Sequence, residues 1–181
     1  TTPNKVFNLT DSPKTQTLVL GVGNTLMMDE GIGVRVVERL VQTYEIPEEV
    51  QVLDGGTLGM DLLYYMEGVP NLLIVDAIQS NREPGYLLRL ANDEVPAFLS
   101  MKMSPHQIGV PDMLATARLR GTTPPNIVLW GVQPEKIEIG MELSETLAAL
   151  VNPLVANVVD ELRKWGHQVS RIDNPTYAAS T

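Results

Sequence analysis

Short apolar runs alternate along this chain with longer stretches whose apolar positions recur every three to four residues. Leu18-Val19-Leu20 marks a buried strand over residues 17–22. From Asp29, a residue type that favours helix N-caps, Ile32, Val36, Val37, Leu40, Val41 and Tyr44 follow at helical spacing, and Pro47 ends that helix. A second strand over 50–53, a tight turn at Asp54-Gly55-Gly56-Thr57, a short helix over 60–66 and a third strand over 71–76 come next. The step from Asp76 to Tyr86 carries Asn81, Pro84 and Gly85. It is shorter than the dozen or so residues a helical crossover needs, so 86–90 reads as an antiparallel edge strand. A helix over 108–120, stopped by Gly121, precedes a fifth strand over 127–132. The last helix spans 143–165, with a kink expected at Pro153 and a stop at Gly166.

Strands alternating with helices predict a three-layer α/β fold: an open, twisted, mostly parallel five-stranded sheet with helices on both faces and one antiparallel edge strand. Right-handed crossovers put the first strand between the second and third. With 181 residues and 44% hydrophobic composition, one domain over 17–166 is expected, flanked by loose segments at 1–16 and 167–181.

In such sheets ligands bind at the carboxyl ends of the strands, where strand order reverses. Glu30, Asp54 and Asp76 all follow strands on that rim, and His106 reaches it from the loop before its helix. Glu30, Asp76 and His106 form a plausible divalent-metal set, and three protein ligands leave positions open for water or a partner's groups. Asp76, directly after Leu72-Leu73-Ile74-Val75, needs a partner, a metal or a proton at the edge of a buried sheet. Glu30 read alone is equally a solvated acid in a first helical turn, and Asp54 equally a turn former that accepts backbone hydrogen bonds. Asp29 is expected to do no more than cap its helix, and His167 to be a solvated residue at a helix end. Met27, Met28, Met101 and Met103 suit core filling or an adaptable protein-binding groove.

The pair Gly21-x-Gly23 invites a dinucleotide-binding reading, but Leu26 stands where the third glycine belongs. Carboxylates at Asp29 and Glu30 would also repel a pyrophosphate at that helix start. Hydrolase signatures such as Gly-x-Ser-x-Gly and His-Glu-x-x-His are absent. A net charge of −9 argues against nucleic acid and anionic membranes as partners. No apolar run approaches the roughly 18 residues of a spanning helix, so membrane insertion is not expected. The absence of cysteine removes thiolate chemistry and fits a reducing compartment, the cytoplasm.

The segments Gly21-Val-Gly-Asn-Thr-Leu-Met-Met-Asp-Glu-Gly-Ile-Gly33, Asp54-Gly-Gly-Thr57, Leu73-Ile-Val-Asp-Ala77 and Ser104-Pro-His-Gln107 resemble, in order and spacing, those of the nickel-iron hydrogenase maturation endopeptidases. The resemblance covers residues 17–165. It implies a peptidase that removes a C-terminal extension from a hydrogenase large-subunit precursor after nickel insertion. Glu30, Asp76 and His106 then match metal-binding positions, with Asp54 and Asp76 as the acids that serve catalysis in an aspartyl-type protease. Nickel would arrive with the precursor, and zinc or cadmium would suit the same ligands. A nickel-sensing chaperone that docks without cutting is the alternative from another class.

Overall fold

A computed structural model describes residues 14–59, 61–100 and 109–173. The chain runs β1 (Thr17–Gly21), α1 (Ile32–Thr43), β2 (Tyr44–Glu45), β3 (Val50–Asp54), α2 (Asp61–Met66), β4 (Asn71–Ala77), β5 (Leu87–Ala91), α3 (Glu94–Ser100), α4 (Val110–Arg120), β6 (Asn126–Val132), α5 (Glu145–Ala148), α6 (Val151–Lys164) and β7 (Ser170–Arg171). The main sheet has the order β3-β1-β4-β6-β5. All its pairings are parallel except β5 with β6. The first strand therefore lies between the second and third long ones, and the short step after Asp76 leads to an antiparallel edge.

Period-two alternation divides the core between the two faces. Val19, Leu73, Val75 and Val128 point to the side covered by α1 and α6, where Ile32, Val36, Leu40, Leu154, Val158 and Leu162 are buried. Leu18, Leu20, Leu72, Ile74 and Leu129 point to the other side and pack on Leu62, Met66, Val95, Met113 and Leu114 from α2, α3 and α4. At roughly 25 cal/mol per Å² of buried apolar surface, these two layers supply the main stabilisation. Among the described residues no helix is long and apolar enough to cross a membrane.

Two local expectations are corrected, and one helix is added. Pro153 does not kink one long helix. The chain breaks into α5, whose Leu147 N–H donates to the Ser144 hydroxyl, and α6, where Pro153 sits in the first turn and its missing N–H would have had no helical partner. Helix α3 was not anticipated, because Pro96 interrupts its pattern.

His167 is buried rather than solvated. Its Nε2 lies 2.6 Å from the Thr17 hydroxyl, Asn71 Nδ2 donates to that hydroxyl at 3.1 Å, and Asn126 Nδ2 donates to Asn71 Oδ1 at 2.9 Å. Glu49 takes up the other ring nitrogen at 3.2 Å. This polar chain crosses the amino ends of β1, β4 and β6, and β7 pairs with β2 just beyond it. The residues expected as a loose tail from 167 are thus tied to the body as far as β7. His167→Ala should cost roughly 1–3 kcal/mol in urea unfolding, because it strands buried polar groups. An unchanged unfolding midpoint would show that the chain contributes nothing.

Candidate active site

Strand order reverses between β1 and β4, since α1 crosses one face of the sheet and α2 the other. The loops leaving the carboxyl ends of these strands carry the candidate acids, and glycine governs how closely they pack. A Cβ on Gly23, which has φ of 131°, would lie 1.8 Å from the Glu30 carbonyl oxygen. On Gly33 it would lie 2.1 Å from the Val75 carbonyl oxygen. No side chain fits either position, so the turn after β1, the start of α1 and the end of β4 touch backbone to backbone. Val22 N–H also donates to the Val75 carbonyl at 2.9 Å.

This packing shapes a cleft of about 470 Å³ whose walls include Glu30, Asp54, Leu62, Gly109 and Val110. Glu30 stands on a single 3-10 turn, Met28–Gly31, and is half-buried. Asp54 ends β3 opposite Gly21, and its Oδ1 accepts from Gly56 N–H at 2.9 Å. It forms its turn and lines the cleft as well, so the two readings of this residue are compatible. Asp76 lies opposite Gly131 on β4. Alternation sends its half-buried side chain to the face of Leu72 and Ile74, the same face to which the cleft residues Leu62 and Val110 belong.

His106, Met101 and Met103 lie outside the described residues. Gly109, three positions after His106, lines the cleft, and its N–H donates to Asp112 Oδ2 at 2.9 Å. Among the described residues no group of three or more histidine, cysteine, aspartate or glutamate side chains is arranged to hold a metal. The structure therefore brings Glu30 and Asp54 to one cleft and Asp76 to the same face of the rim, while the imidazole of the expected set falls outside what is described. Among the described residues no lysine or arginine lines the cleft. Two carboxylates in its wall disfavour a phosphate-bearing cofactor and favour a cation or a neutral polypeptide.

Asp29 is not a helix cap. It is buried, and the residue preceding α1 is Gly31, with no side-chain cap. Its Oδ2 accepts from the N–H groups of Glu135 at 2.9 Å and Lys136 at 2.8 Å and from the Ser144 hydroxyl at 2.8 Å, while Oδ1 accepts from Ser144 N–H at 2.7 Å. Burial pushes the carboxyl up, and the hydrogen bonds from Lys136, Ser144 and Glu135 outweigh it, holding the group below its usual range. Every partner is more than a hundred positions away, so no local pattern announces this role. The one sign is two adjacent acids on a single turn, of which one faces the cleft and the other turns inward.

A carboxyl held low contributes stability that is fully present above its unfolded value, about 3.9, and is lost as pH falls through the lower folded value. Asp29→Asn should cost roughly 2–4 kcal/mol at pH 7. The gap between parent and variant in denaturant unfolding should shrink below about pH 4. A gap that widens on acidification would contradict the assignment.

Known proteins share the fold and much of the sequence. The family model for hydrogenase maturation protease matches residues 34–161. Over 150 residues the chain is 46% identical to the hydrogenase 2 maturation protease of Escherichia coli strain K12, which covers 82% of this chain and 92% of that protein. Over 156 residues it is 44% identical to the hydrogenase expression/formation protein HupD of Rhodobacter capsulatus, covering 85% of this chain and 74% of that one. The solved structure of the hydrogenase maturating endopeptidase HybD from E. coli superimposes with a TM-score of 0.82 at 44% identity, covering 86% of this chain and 97% of that chain. The acid-lined rim therefore sits in a member of the hydrogenase maturation protease family, and this chain is a peptidase.

Proposed function

We propose that this protein removes the C-terminal extension of a nickel-iron hydrogenase large-subunit precursor after nickel has been inserted. The precursor's own nickel is the handle by which the substrate is recognised. The observation that carries the reading is that Glu30 and Asp54 line one glycine-built cleft at the carboxyl rim, with Asp76 on the same face of the sheet. Nickel, as part of the substrate, would engage Glu30, Asp76 and His106. In the sequence only Gln107 and Ile108 separate His106 from Gly109, which lines the cleft.

Oxygen and nitrogen ligands without a thiolate make a weak, open site, so tight binding requires further ligands from the precursor. Docking through the metal then fixes the scissile bond beside the rim, converting recognition into positioning. Hydrolysis needs a group to take the attacking water's proton, and Asp54 and Asp76 are the carboxylates available for it. With no cysteine in the chain, the reaction proceeds without a thiol nucleophile, and the cytoplasm is its expected compartment.

Incubation with nickel-loaded and nickel-free precursor, followed by intact mass, tests the reading. Only the loaded form should lose its extension. His106→Ala and Asp76→Asn should each slow the cut by about a hundredfold or more. Equal cleavage of both forms rejects recognition through nickel, and stable binding of the loaded form without cleavage supports a chaperone instead.

A further inference from the structure

Beyond β6 the chain crosses the carboxyl rim, and this segment combines two properties that rarely occur together. Its backbone is pinned at several points. Asp29 takes the N–H groups of Glu135, Lys136 and Ser144. Met28 N–H donates to the Gly140 carbonyl and Gly140 N–H to the Leu26 carbonyl, both at 2.9 Å, and Arg35 Nη2 donates to the Met141 carbonyl at 3.0 Å. Yet three of its apolar side chains face solvent: Ile139 is 91% exposed, Met141 67% and Ile137 43%, and the adjoining Leu26 is 58% exposed. A buried carboxylate thus orders a segment on which Ile137, Ile139 and Met141 gain little from the fold. Exposed apolar side chains grouped on a fixed backbone mark an interaction surface, and order imposed beforehand lowers the cost of association.

We propose that Leu26, Ile137, Ile139 and Met141 form the ridge on which the folded body of the hydrogenase large-subunit precursor seats while its C-terminal segment enters the cleft; this rests on the processing function proposed above. The ridge is continuous with the site: Thr25 lines the cleft, Leu26 follows it, and Glu30 lies on the turn that Asp29 anchors. A cleft of about 470 Å³ holds only a short stretch of chain. A specific protein partner needs roughly 800 Å² on each side, so a cleft of that size requires an adjoining surface. Glu135, Glu138 and Glu142 outnumber Lys136 along the segment, a balance that repels anionic lipid and nucleic acid and leaves a polypeptide as the fitting occupant.

The test compares the parent protein with the double variant Ile139→Glu/Met141→Glu by biolayer interferometry on immobilised nickel-loaded precursor, with intact-mass assay of cleavage and light scattering of the free proteins alongside. Both replaced side chains are exposed, so the thermal unfolding midpoint should not move. Leu119→Glu, at a 90% exposed position on α4, is the control and should bind as the parent does. Affinity of the double variant should fall at least tenfold, with KM raised and kcat at saturating precursor retained. If the parent binds without cutting and the double variant loses binding, the ridge stands and the endopeptidase reading fails. The proposal is overturned by unchanged affinity, by a parent that does not bind the precursor, or by a parental dimer that the variant converts to monomer at unchanged precursor affinity.

Discussion

The carboxyl rim depends on backbone packing that only glycine permits. Gly23 and Gly33 let the turn after β1, the start of α1 and the end of β4 close on one another with no side chain between them. Gly56 extends the same packing to the third acid-bearing loop, since a Cβ there would lie 2.4 Å from the Gly23 carbonyl oxygen. Loops that carry like charges repel, and nothing in the net charge of −9 favours gathering them. The two apolar layers of the core hold the strands in register, and the glycines remove the volume that would keep the loops apart. The approach of the acid-bearing loops at the rim is therefore a product of steric permission, stabilised elsewhere.

Asp29 and Glu30 show how neighbouring residues of one type divide their tasks. On the same 3-10 turn one carboxylate faces the cleft, and the other is buried and holds the segment between β6 and α5. The first is an acid open to chemistry. The second works as a fixed acceptor, saturated by four hydrogen bonds, and serves the site by fixing what stands beside it. Met28, with φ of 47°, carries the positive backbone angle between these demands. Strain of this kind persists only where surrounding contacts over-determine the backbone, as the bonds to Gly140 and Lys136 do here.

What the sequence made legible follows from how local each cause is. The five strands of the main sheet, α1, α2 and α4 were readable because burial alternates with period two or recurs at helical spacing within a few residues, whereas β2 and β7 were missed and Tyr44, expected in the first helix, belongs to β2. The order of β3, β1 and β4 followed from the handedness of crossovers, and the antiparallel edge from the shortness of one connection. The position of Glu30 and Asp54 at the rim was legible because residues after parallel strands collect there. The roles of Asp29 and His167 stayed hidden because their partners lie 106 to 115 and 118 to 150 positions away. Leu150 and Pro153 show a subtler limit: a proline reads as a kink or as a first turn depending on where the preceding helix stops, and here α5 ends at Ala148, so that Leu150 opens α6 and Pro153 falls in its first turn.

At the centre of the account stands the proposal that the substrate's nickel is shared between precursor and protease. Nickel-edge X-ray absorption on the complex with loaded precursor, held under conditions that prevent turnover, addresses it without relying on cleavage. The proposal predicts added oxygen and nitrogen scatterers at about 2.0–2.2 Å relative to precursor alone. His106→Ala should remove the imidazole contribution from that spectrum. A spectrum identical for free and complexed precursor would contradict the claim that this protease reads its substrate through the metal.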